Sequence, residues 1–289
     1  MTRKIMFLSV LLCVLAMGAW SSEVYCRYQT DAGVFYGKAE GDIIHQLCAA
    51  PWDGGKETGH TIAVDKVKLL HPSEPKKVIG LSGAYKDNWT DGNKPLKTIR
   101  WFLKPPTSAA SPGEDVVLPG SLDTLMVETE LVIVIGKRIK DGSIAEAKEA
   151  IFGYTVGNDI VGEVTSYHRV VGEPLDQEEV LLNFGLKQCD GFAPYGPFIH
   201  KGADWRNRER TLKVITPSTG KEINYSHNTS NLAYTPEKIV SDLSHVFSFD
   251  PGDVIFTATT KALPAHAGDL MIVGIEGLGT IKNRVKAAK

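Results

Sequence analysis

The sequence predicts an α+β fold that is rich in β-strands, with a small N-terminal β domain followed by a larger domain. The 28 glycines and 15 prolines among 289 residues indicate many turns between short elements. The apolar runs are mostly short and rich in β-branched residues, which is typical of strands. One segment, Ile144–Ala150, has the alanines and glutamates of a helix, and Ser143 before it is a favoured N-cap residue.

The N-terminus has the three-part pattern of a secretory signal peptide. Arg3 and Lys4 precede an apolar run at residues 5–20, and small residues near Ala19 offer a cleavage site. A run of sixteen residues is shorter than the roughly 20 that span a bilayer, so we expect no stable membrane insertion once the signal peptide, residues 1–21, is removed. A buried first helix is the alternative, but nothing amphipathic supports it. The sequence therefore predicts an exported protein, periplasmic or secreted.

Residues 22–72 are predicted to form the small N-terminal domain, a β-meander. Export leaves Cys26, Cys48 and Cys189 in the mature chain, and an oxidising compartment would allow a Cys26–Cys48 disulfide. The spacing does not fix the Cα separation that a disulfide requires, so two reduced cysteines are the alternative. No Cys or His spacing in the sequence is typical of a zinc site.

The composition bears on the partners of the chain. A formal net charge of −2 gives no basic footprint for nucleic acid or for an anionic membrane surface. With 43% hydrophobic and 23% charged residues, a chain of this length buries a sizeable core. We therefore expect a globular protein without a nucleic-acid partner.

The larger domain is predicted to span residues 73–289, after a linker marked by Pro72 and Pro75. Its first strands are expected at residues 78–81 and 99–104, with a polar loop between them. The helix after Ser143 leads directly into another apolar strand. These elements surround the segment that carries the strongest chemical signal.

That segment is residues 125–136, an almost entirely apolar strand interrupted by Glu128 and Glu130. Residues two apart on a strand point to the same face, so the two carboxylates share a face with Val132 and Val134. Burying two like charges side by side is costly unless a cation or a proton resolves the conflict. Two interpretations follow: a divalent metal held by oxygen ligands, or an edge strand with solvated glutamates.

Asp159 offers a third ligand, at the end of the strand that follows the helix. Two carboxylates from one strand and a third from a neighbour form an oxygen face that leaves positions open for water and substrate. Such a face suits Mg²⁺ or Mn²⁺. The alternative role for an Asn-Asp pair after a strand is a helix N-cap.

Six strings of the sequence, in this order along the chain, match a known pattern. They are Phe102-Leu-Lys-Pro105, Glu128-Thr-Glu-Leu-Val-Ile-Val-Ile-Gly-Lys137, Gly153-Tyr-Thr-Val-Gly-Asn-Asp159, Lys187-Gln-Cys-Asp-Gly-Phe-Ala-Pro-Tyr-Gly-Pro197, His227-Asn-Thr229 and Asp250-Pro-Gly-Asp-Val-Ile-Phe-Thr257. In this set the chain resembles the fumarylacetoacetate hydrolase family, over nearly all of the mature sequence.

The resemblance implies a mixed β-roll or sandwich around a metal site, usually in a homodimer. It implies Mg²⁺ or Mn²⁺, with Ca²⁺ as an alternative, on Glu128, Glu130 and Asp159. Members of the family cleave, decarboxylate, hydrate or isomerise 2-keto and 1,3-dicarbonyl acids through a metal-chelated enolate. Lys187 matches a lysine that faces this site and helps to hold the oxyanion. A small-molecule keto acid is the implied partner.

The departures from the family pattern concern the catalytic base. Hydrolytic members carry a His–Glu pair in a lid, where this chain has Asn88 and Asp91. An amide cannot act as a general base, so Asp91 would have to act alone. Glu163 stands where an arginine is expected, and a Gly-Thr-Pro turn is replaced by residues 258–260. Three interpretations follow: a metal-dependent enzyme of the family, an exported paralogue that binds metal and keto acid without turnover, or a structural cation site.

Overall fold

A computed structural model describes residues 22–89, 98–120, 122–162 and 187–288. The predicted signal peptide, Asp91 and Glu163 lie outside these residues. The described helices comprise α1 (Ile144–Ala150), α2 (Pro236–Ser244) and five 3₁₀ turns, at Pro51–Asp53, Val64–Lys66, Lys86–Asn88, Pro106–Ser108 and Thr229–Asn231. In this part of the chain, no helix is both long and apolar enough to cross a membrane.

Short β-strands make up nearly half of the described chain and helices far less, which confirms the β-rich α+β fold. In chain order they are β1 (Glu23–Thr30), β2 (Gly33–Glu40), β3 (Ile43–Leu47), β4 (Glu57–Ala63), β5 (Lys68–Leu69), β6 (Val78–Ser82), β7 (Arg100–Lys104), β8 (Ala109–Ala110), β9 (Val116–Leu118), β10 (Leu125–Val127), β11 (Thr129–Ile135), β12 (Ile151–Asn158), β13 (Val161–Gly162), β14 (Ala193–Pro194), β15 (Phe198–Lys201), β16 (Glu209–Thr216), β17 (Lys221–Asn228), β18 (Val254–Phe256), β19 (Leu263–Ala265), β20 (Leu270–Ile275) and β21 (Gly279–Ala287).

The largest sheet places the glutamate strand in its interior. Its order is β4-β3-β2-β1-β15-β12-β11-β18-β6-β7, with β5 paired to β1. A second sheet has the order β17-β16-β20-β21-β9, and two small sheets are β13-β10-β19 and β14-β8. Since β11 is paired with β12 on one side and β18 on the other, the solvated-edge interpretation of its glutamates is wrong.

Both faces of β11 are buried, as the sequence predicts. Leu131 and Ile133 belong to the main hydrophobic core, to which β16 and β20 of the second sheet also contribute. Val132 and Val134 pack on the opposite face, in a smaller cluster with Val254 of β18. The strand is shorter than predicted, because the backbone leaves the ladder at Glu128, between β10 and β11.

The N-terminal meander continues the largest sheet instead of forming a separate one. Strand β1 pairs with β2 on one side and with β15 on the other. Cys26 lies on β1 and Cys48 follows β3, so β2 lies between them, and both are free thiols. Two strand spacings put β1 and β3 roughly 9–10 Å apart. This exceeds the Cα separation of about 4.4–6.8 Å that a disulfide needs, which accounts for the missing bridge.

The helix prediction is confirmed in detail. Ser143 accepts a hydrogen bond from the Glu146 N–H, and the Glu146 carboxylate accepts one from the Ser143 N–H, which together form a capping box. Strand β12 follows the helix at once and ends at Asn158. No helix begins there, since the chain continues into β13, so the N-cap alternative for Asp159 is wrong.

Candidate metal centre

Neighbouring ends of β11 and β12 bring the predicted ligands together. Glu130 lies opposite Gly157 in the ladder, and Thr129 lies opposite Asn158. Where the ladder ends, the Glu128 N–H donates to the Asn158 side-chain oxygen at 3.0 Å, and the Asp159 N–H donates to the Glu128 carbonyl at 3.0 Å. These two bonds fix Glu128 beside Asp159.

The three predicted carboxylates form one cluster. Glu128, Glu130 and Asp159 each offer an oxygen, and the three oxygens lie within 4.8 Å of one another. Glu130 and Asp159 are fully buried, and Glu128 is partly buried. Glu130 Oε2 accepts the Ala258 N–H at 2.8 Å, but Oε1 has no hydrogen-bond partner in the described part of the chain. A buried set of carboxylate oxygens with an unused acceptor fits a hard divalent cation.

Two ammonium groups balance part of this negative charge. Lys187 Nζ lies 2.9 Å from Glu128 Oε2 and 2.7 Å from Asp159 Oδ2. Lys104, fully buried at the inner end of β7, lies 2.7 Å from Asp159 Oδ1. Its ammonium also donates to the carbonyls of Ile160 and Phe192, at 3.0 and 2.8 Å. Three carboxylates therefore face two lysines, which leaves one excess negative charge for a cation.

Burial and the neighbouring charges move the pKa values of the cluster in opposite directions. Burial, with the charges of Asp159 and Glu128, raises the pKa of Glu130 well above its usual value. Burial also raises the pKa of Glu128, against the pull of Lys187. Burial opposes ionisation of Asp159 too, but Lys104 and Lys187 outweigh it and lower its pKa. For Lys187, burial favours the neutral amine, yet the surrounding carboxylates raise its pKa, so it remains an ammonium. Without metal, Glu130 is thus the carboxylate that holds a proton most readily.

A buried arginine on β16 ties the ligand strand to the loop after β18. Arg210 is fully buried and donates to the carbonyls of Thr129 and Ala258, at 3.2 and 3.1 Å. Its second terminal nitrogen lies 2.8 Å from Nδ1 of His227, and its guanidinium stacks 3.9 Å from the ring centroid of Tyr85. Burial, with the charge of Arg210, lowers the pKa of His227 to about 3, so this histidine is neutral.

A cavity of about 270 Å³ opens onto the cluster. Its wall includes Glu128, Glu130 and Lys187, and on other sides Asn88, Phe102 and residues 258–262. The Asn88 side-chain oxygen is buried without a hydrogen-bond partner among the described residues. Drug-sized pockets measure about 300–1,000 Å³, so this cavity suits a small ligand.

Three residues that support this centre are not predicted by the sequence. Lys104 lies in a string that matches the family, and its position two residues after Phe102 on a strand is the signal that it faces inward. His227 opens a string that matches the family, whereas nothing in the sequence links Arg210, its partner across β16 and β17, to the glutamates. Of the predicted catalytic residues, Lys187 lies at the cluster and Asp91 is outside the described residues.

The Ala258 backbone adopts a left-handed conformation, with φ of 70°. An alanine is disfavoured there, whereas the glycine that the family pattern has at this point is not. We expect Ala258→Gly to raise the free energy of unfolding by about 0.5–1 kcal/mol in urea denaturation. Ala265→Gly is the control, because Ala265 is a buried strand residue without a positive φ, and this change should destabilise the protein. A loss of stability in Ala258→Gly would contradict the interpretation.

Two family models match the sequence of this chain. The family described as fumarylacetoacetate (FAA) hydrolase C-terminal matches residues 77–286, and the Rv2993c-like N-terminal family matches residues 25–72. Protein Rv2993c of Mycobacterium tuberculosis is 28% identical over 270 residues, which cover 90% of this chain and 96% of the relative.

Solved structures agree with the fold. The 2-hydroxyhepta-2,4-diene-1,7-dioate isomerase of Mycobacterium marinum matches with a TM-score of 0.77 and 28% identity, over 92% of this chain and 99% of the other. A maleylpyruvate hydrolase of Sphingobium sp. SYK-6, solved with manganese(II) and pyruvate, matches with a TM-score of 0.67. Its identity of 22%, over 92% of this chain and all of the other, shows the fold alone. On the match over residues 77–286, the chain belongs to the fumarylacetoacetate hydrolase family.

Proposed function

We propose that the protein is a metal-dependent enzyme that acts on a 2-keto or 1,3-dicarbonyl acid, by C–C hydrolysis, decarboxylation or tautomerisation. The observation that carries the proposal is the buried Glu130 carboxylate, with an unused oxygen, clustered with Glu128 and Asp159 beside a small cavity. Membership of the family supports it, as does the isomerase named for one structural neighbour.

Glu128, Glu130 and Asp159 would hold Mg²⁺ or Mn²⁺, with Ca²⁺ as an alternative, because all three donors are carboxylate oxygens. When bound, such a cation polarises the oxygens of a chelating keto acid and stabilises the negative charge that develops on them. Lys187 remains protonated between Glu128 and Asp159, so it donates a hydrogen bond to that charge and does not act as a base. Lys104, whose ammonium lies 2.7 Å from Asp159 Oδ1, fixes the position of that carboxylate.

The proton-transfer group is proposed to be Asp91. Asn88, which lines the cavity, can orient a water molecule through its amide but has no pKa near 7 with which to take a proton. Burial and the charge of Arg210 lower the pKa of His227 to about 3, which argues against it as a base near neutral pH. Reactions that need no base to activate a water molecule, such as tautomerisation or decarboxylation, are therefore favoured over hydrolysis.

A series of acylpyruvates and 2-keto diacids, assayed with and without added Mg²⁺ or Mn²⁺, tests the proposal. We expect turnover that depends on the metal and is lost with EDTA. Asp91→Asn should lower kcat by about 10²–10⁴-fold if Asp91 moves the proton. Asp65→Asn, the same change at an exposed aspartate outside the cavity wall, is the control. Turnover that is unaffected by EDTA would refute the metal-dependent mechanism.

A second function is favoured by one observation, the amide of Asn88 in place of an ionisable lid residue. In this alternative the protein is a catalytically impaired exported paralogue that captures metal and keto acid without turnover. Calorimetry distinguishes the two functions: micromolar binding of a keto acid to the Mn²⁺ form, with no product from any substrate tested, would support the binding protein.

Export and assembly into a homodimer are part of the proposal. The signal pattern of residues 1–21 supports export, and an N-terminal sequence of the protein recovered from a periplasmic extract tests it.

Trp101 and Leu103 are exposed on β7, which is the last strand at one end of the largest sheet among the described residues. An exposed apolar edge strand of this kind is suited to a protein–protein interface. Light scattering should give the mass of a dimer, and Trp101→Lys should shift it towards a monomer.

A further inference from the structure

The wall of the metal-site cavity carries two positively charged side chains, Lys187 and Lys261, which differ in their ion-pair partners. The side chains that line the cavity include four charged groups: Glu128, Glu130, Lys187 and Lys261. Lys187 is paired with two of the clustered carboxylates. Among the described residues, no carboxylate lies within ion-pairing distance of Lys261. Its charge is therefore available to a ligand.

The loop that carries Lys261 is fixed to the metal centre. At one end, Ala258 donates its N–H to Glu130 at 2.8 Å and accepts from Arg210 at 3.1 Å. In the middle, the Thr260 hydroxyl contacts Nδ1 of His227. At Lys261 itself, the ammonium lies 5.0 Å from the ring centroid of Tyr225, within the range of a cation–π contact. The ammonium thus belongs to a cavity-lining loop whose first residue is hydrogen-bonded to a carboxylate of the cluster.

The charges of the site leave Lys261 without a counterion. Three carboxylates, the ammoniums of Lys104 and Lys187, and a divalent cation together carry one positive charge. A 2-keto acid that chelates the metal through its keto and carboxylate oxygens brings one negative charge and makes the centre neutral. Lys261 then still carries a full positive charge at the cavity wall, which a second anionic group on the same ligand would neutralise.

We propose that Lys261 binds the distal carboxylate of a dicarboxylic 2-keto acid whose other end chelates the metal. The inference rests on the proposed function, since it takes the metal centre as the anchor. The small cavity, about 270 Å³, limits the ligand to a short chain between the two carboxylates. Lys261 is thereby the residue that selects diacids over monoacids.

A matched pair of ligands tests the subsite on the full-length Mn²⁺ protein. 2-Oxoglutarate and 2-oxopentanoate have the same five-carbon chain and differ in a distal carboxylate or methyl group, and oxalate chelates the metal without a distal group. By calorimetry, the native protein should bind 2-oxoglutarate about ten-fold more tightly than 2-oxopentanoate. Lys261→Met should remove this preference and Lys261→Arg should keep it, while the Kd values for Mn²⁺ and oxalate stay unchanged.

Lys282→Met is the control, because Lys282 is an exposed lysine on β21 outside the cavity wall. It should leave all ligand affinities as they are. Equal affinity of the native protein for the two oxo acids, or a preference that survives in Lys261→Met, would overturn the subsite. Failure of Mn²⁺ and oxalate to bind at all would instead overturn the proposed function, and the subsite with it.

Discussion

Glu130→Gln should abolish tight binding of the divalent cation while making the metal-free protein more stable. The amide keeps the shape of the side chain and can still accept the Ala258 N–H, but it removes the charge that the metal requires. We expect the Kd for Mn²⁺ to rise by more than the roughly 10–100-fold that loss of an outer-shell partner costs. Mn²⁺ binding followed by electron paramagnetic resonance measures this change.

The stability of the metal-free native protein depends on pH with a defined sign. Since folding raises the pKa of Glu130 well above its usual value of 4.5, the native state keeps a proton that the unfolded state releases. The native protein in EDTA should lose about 1.4 kcal/mol per pH unit from this group as the pH rises above 4.5, until the folded-state pKa is passed. Glu130→Gln should lack this contribution, so urea denaturation at pH 5 to 8 should show a flatter profile.

Glu149→Gln is the control for these measurements, because Glu149 is an exposed partner of Lys137 far from the cluster. It should leave both the Kd for Mn²⁺ and the pH profile of stability unchanged. An Mn²⁺ affinity of Glu130→Gln that stays within threefold of the native value would exclude Glu130 as a ligand.

Lys104→Met should destabilise the protein by about 3–5 kcal/mol, since it breaks a fully buried ion pair and leaves the other charge in place. Asp159 would lose the ammonium at 2.7 Å, and the carbonyls of Ile160 and Phe192 would lose their donor. Methionine fills a similar volume, so the loss is chiefly electrostatic. Urea denaturation of the metal-free protein measures it.

Saturation with Mn²⁺ separates the electrostatic cause from a packing defect. A bound dication supplies positive charge to Asp159, so the difference between Lys104→Met and the native protein should shrink when metal is present. Lys261→Met, which removes an exposed lysine, is the matched control and should change stability by less than about 0.5 kcal/mol. A loss in Lys104→Met that is the same with and without metal would point to packing.

The carboxylate cluster could be predicted from the sequence because its residues follow local rules. Glu128 and Glu130 interrupt an apolar strand, and Asp159 directly follows the next long strand, which is its neighbour in the sheet. Strand alternation and sequential pairing are enough to bring such residues together. The same local reasoning predicted the capped helix after Ser143.

The surroundings of the cluster depend on pairings between distant parts of the chain, which a single sequence does not reveal. Glu130 is buried because β18 pairs with β11 on the side opposite to β12, so that β11 is not an edge strand. Arg210 reaches the cluster because β16 packs across β11 from another sheet, and it satisfies carbonyls that belong to two different segments. Side chains that act through backbone carbonyls leave no spacing pattern to recognise.

The pairing of β11 with β18 also sets when the site can form during folding. Glu130 needs the Ala258 N–H, 128 positions later in the chain, and Arg210 must join the two segments. A chain built on such distant contacts has a high contact order, and folds of this type form on the order of milliseconds to seconds or more slowly. Metal loading should therefore follow completion of the fold, so a nascent chain that ends before residue 258 should not retain the cation.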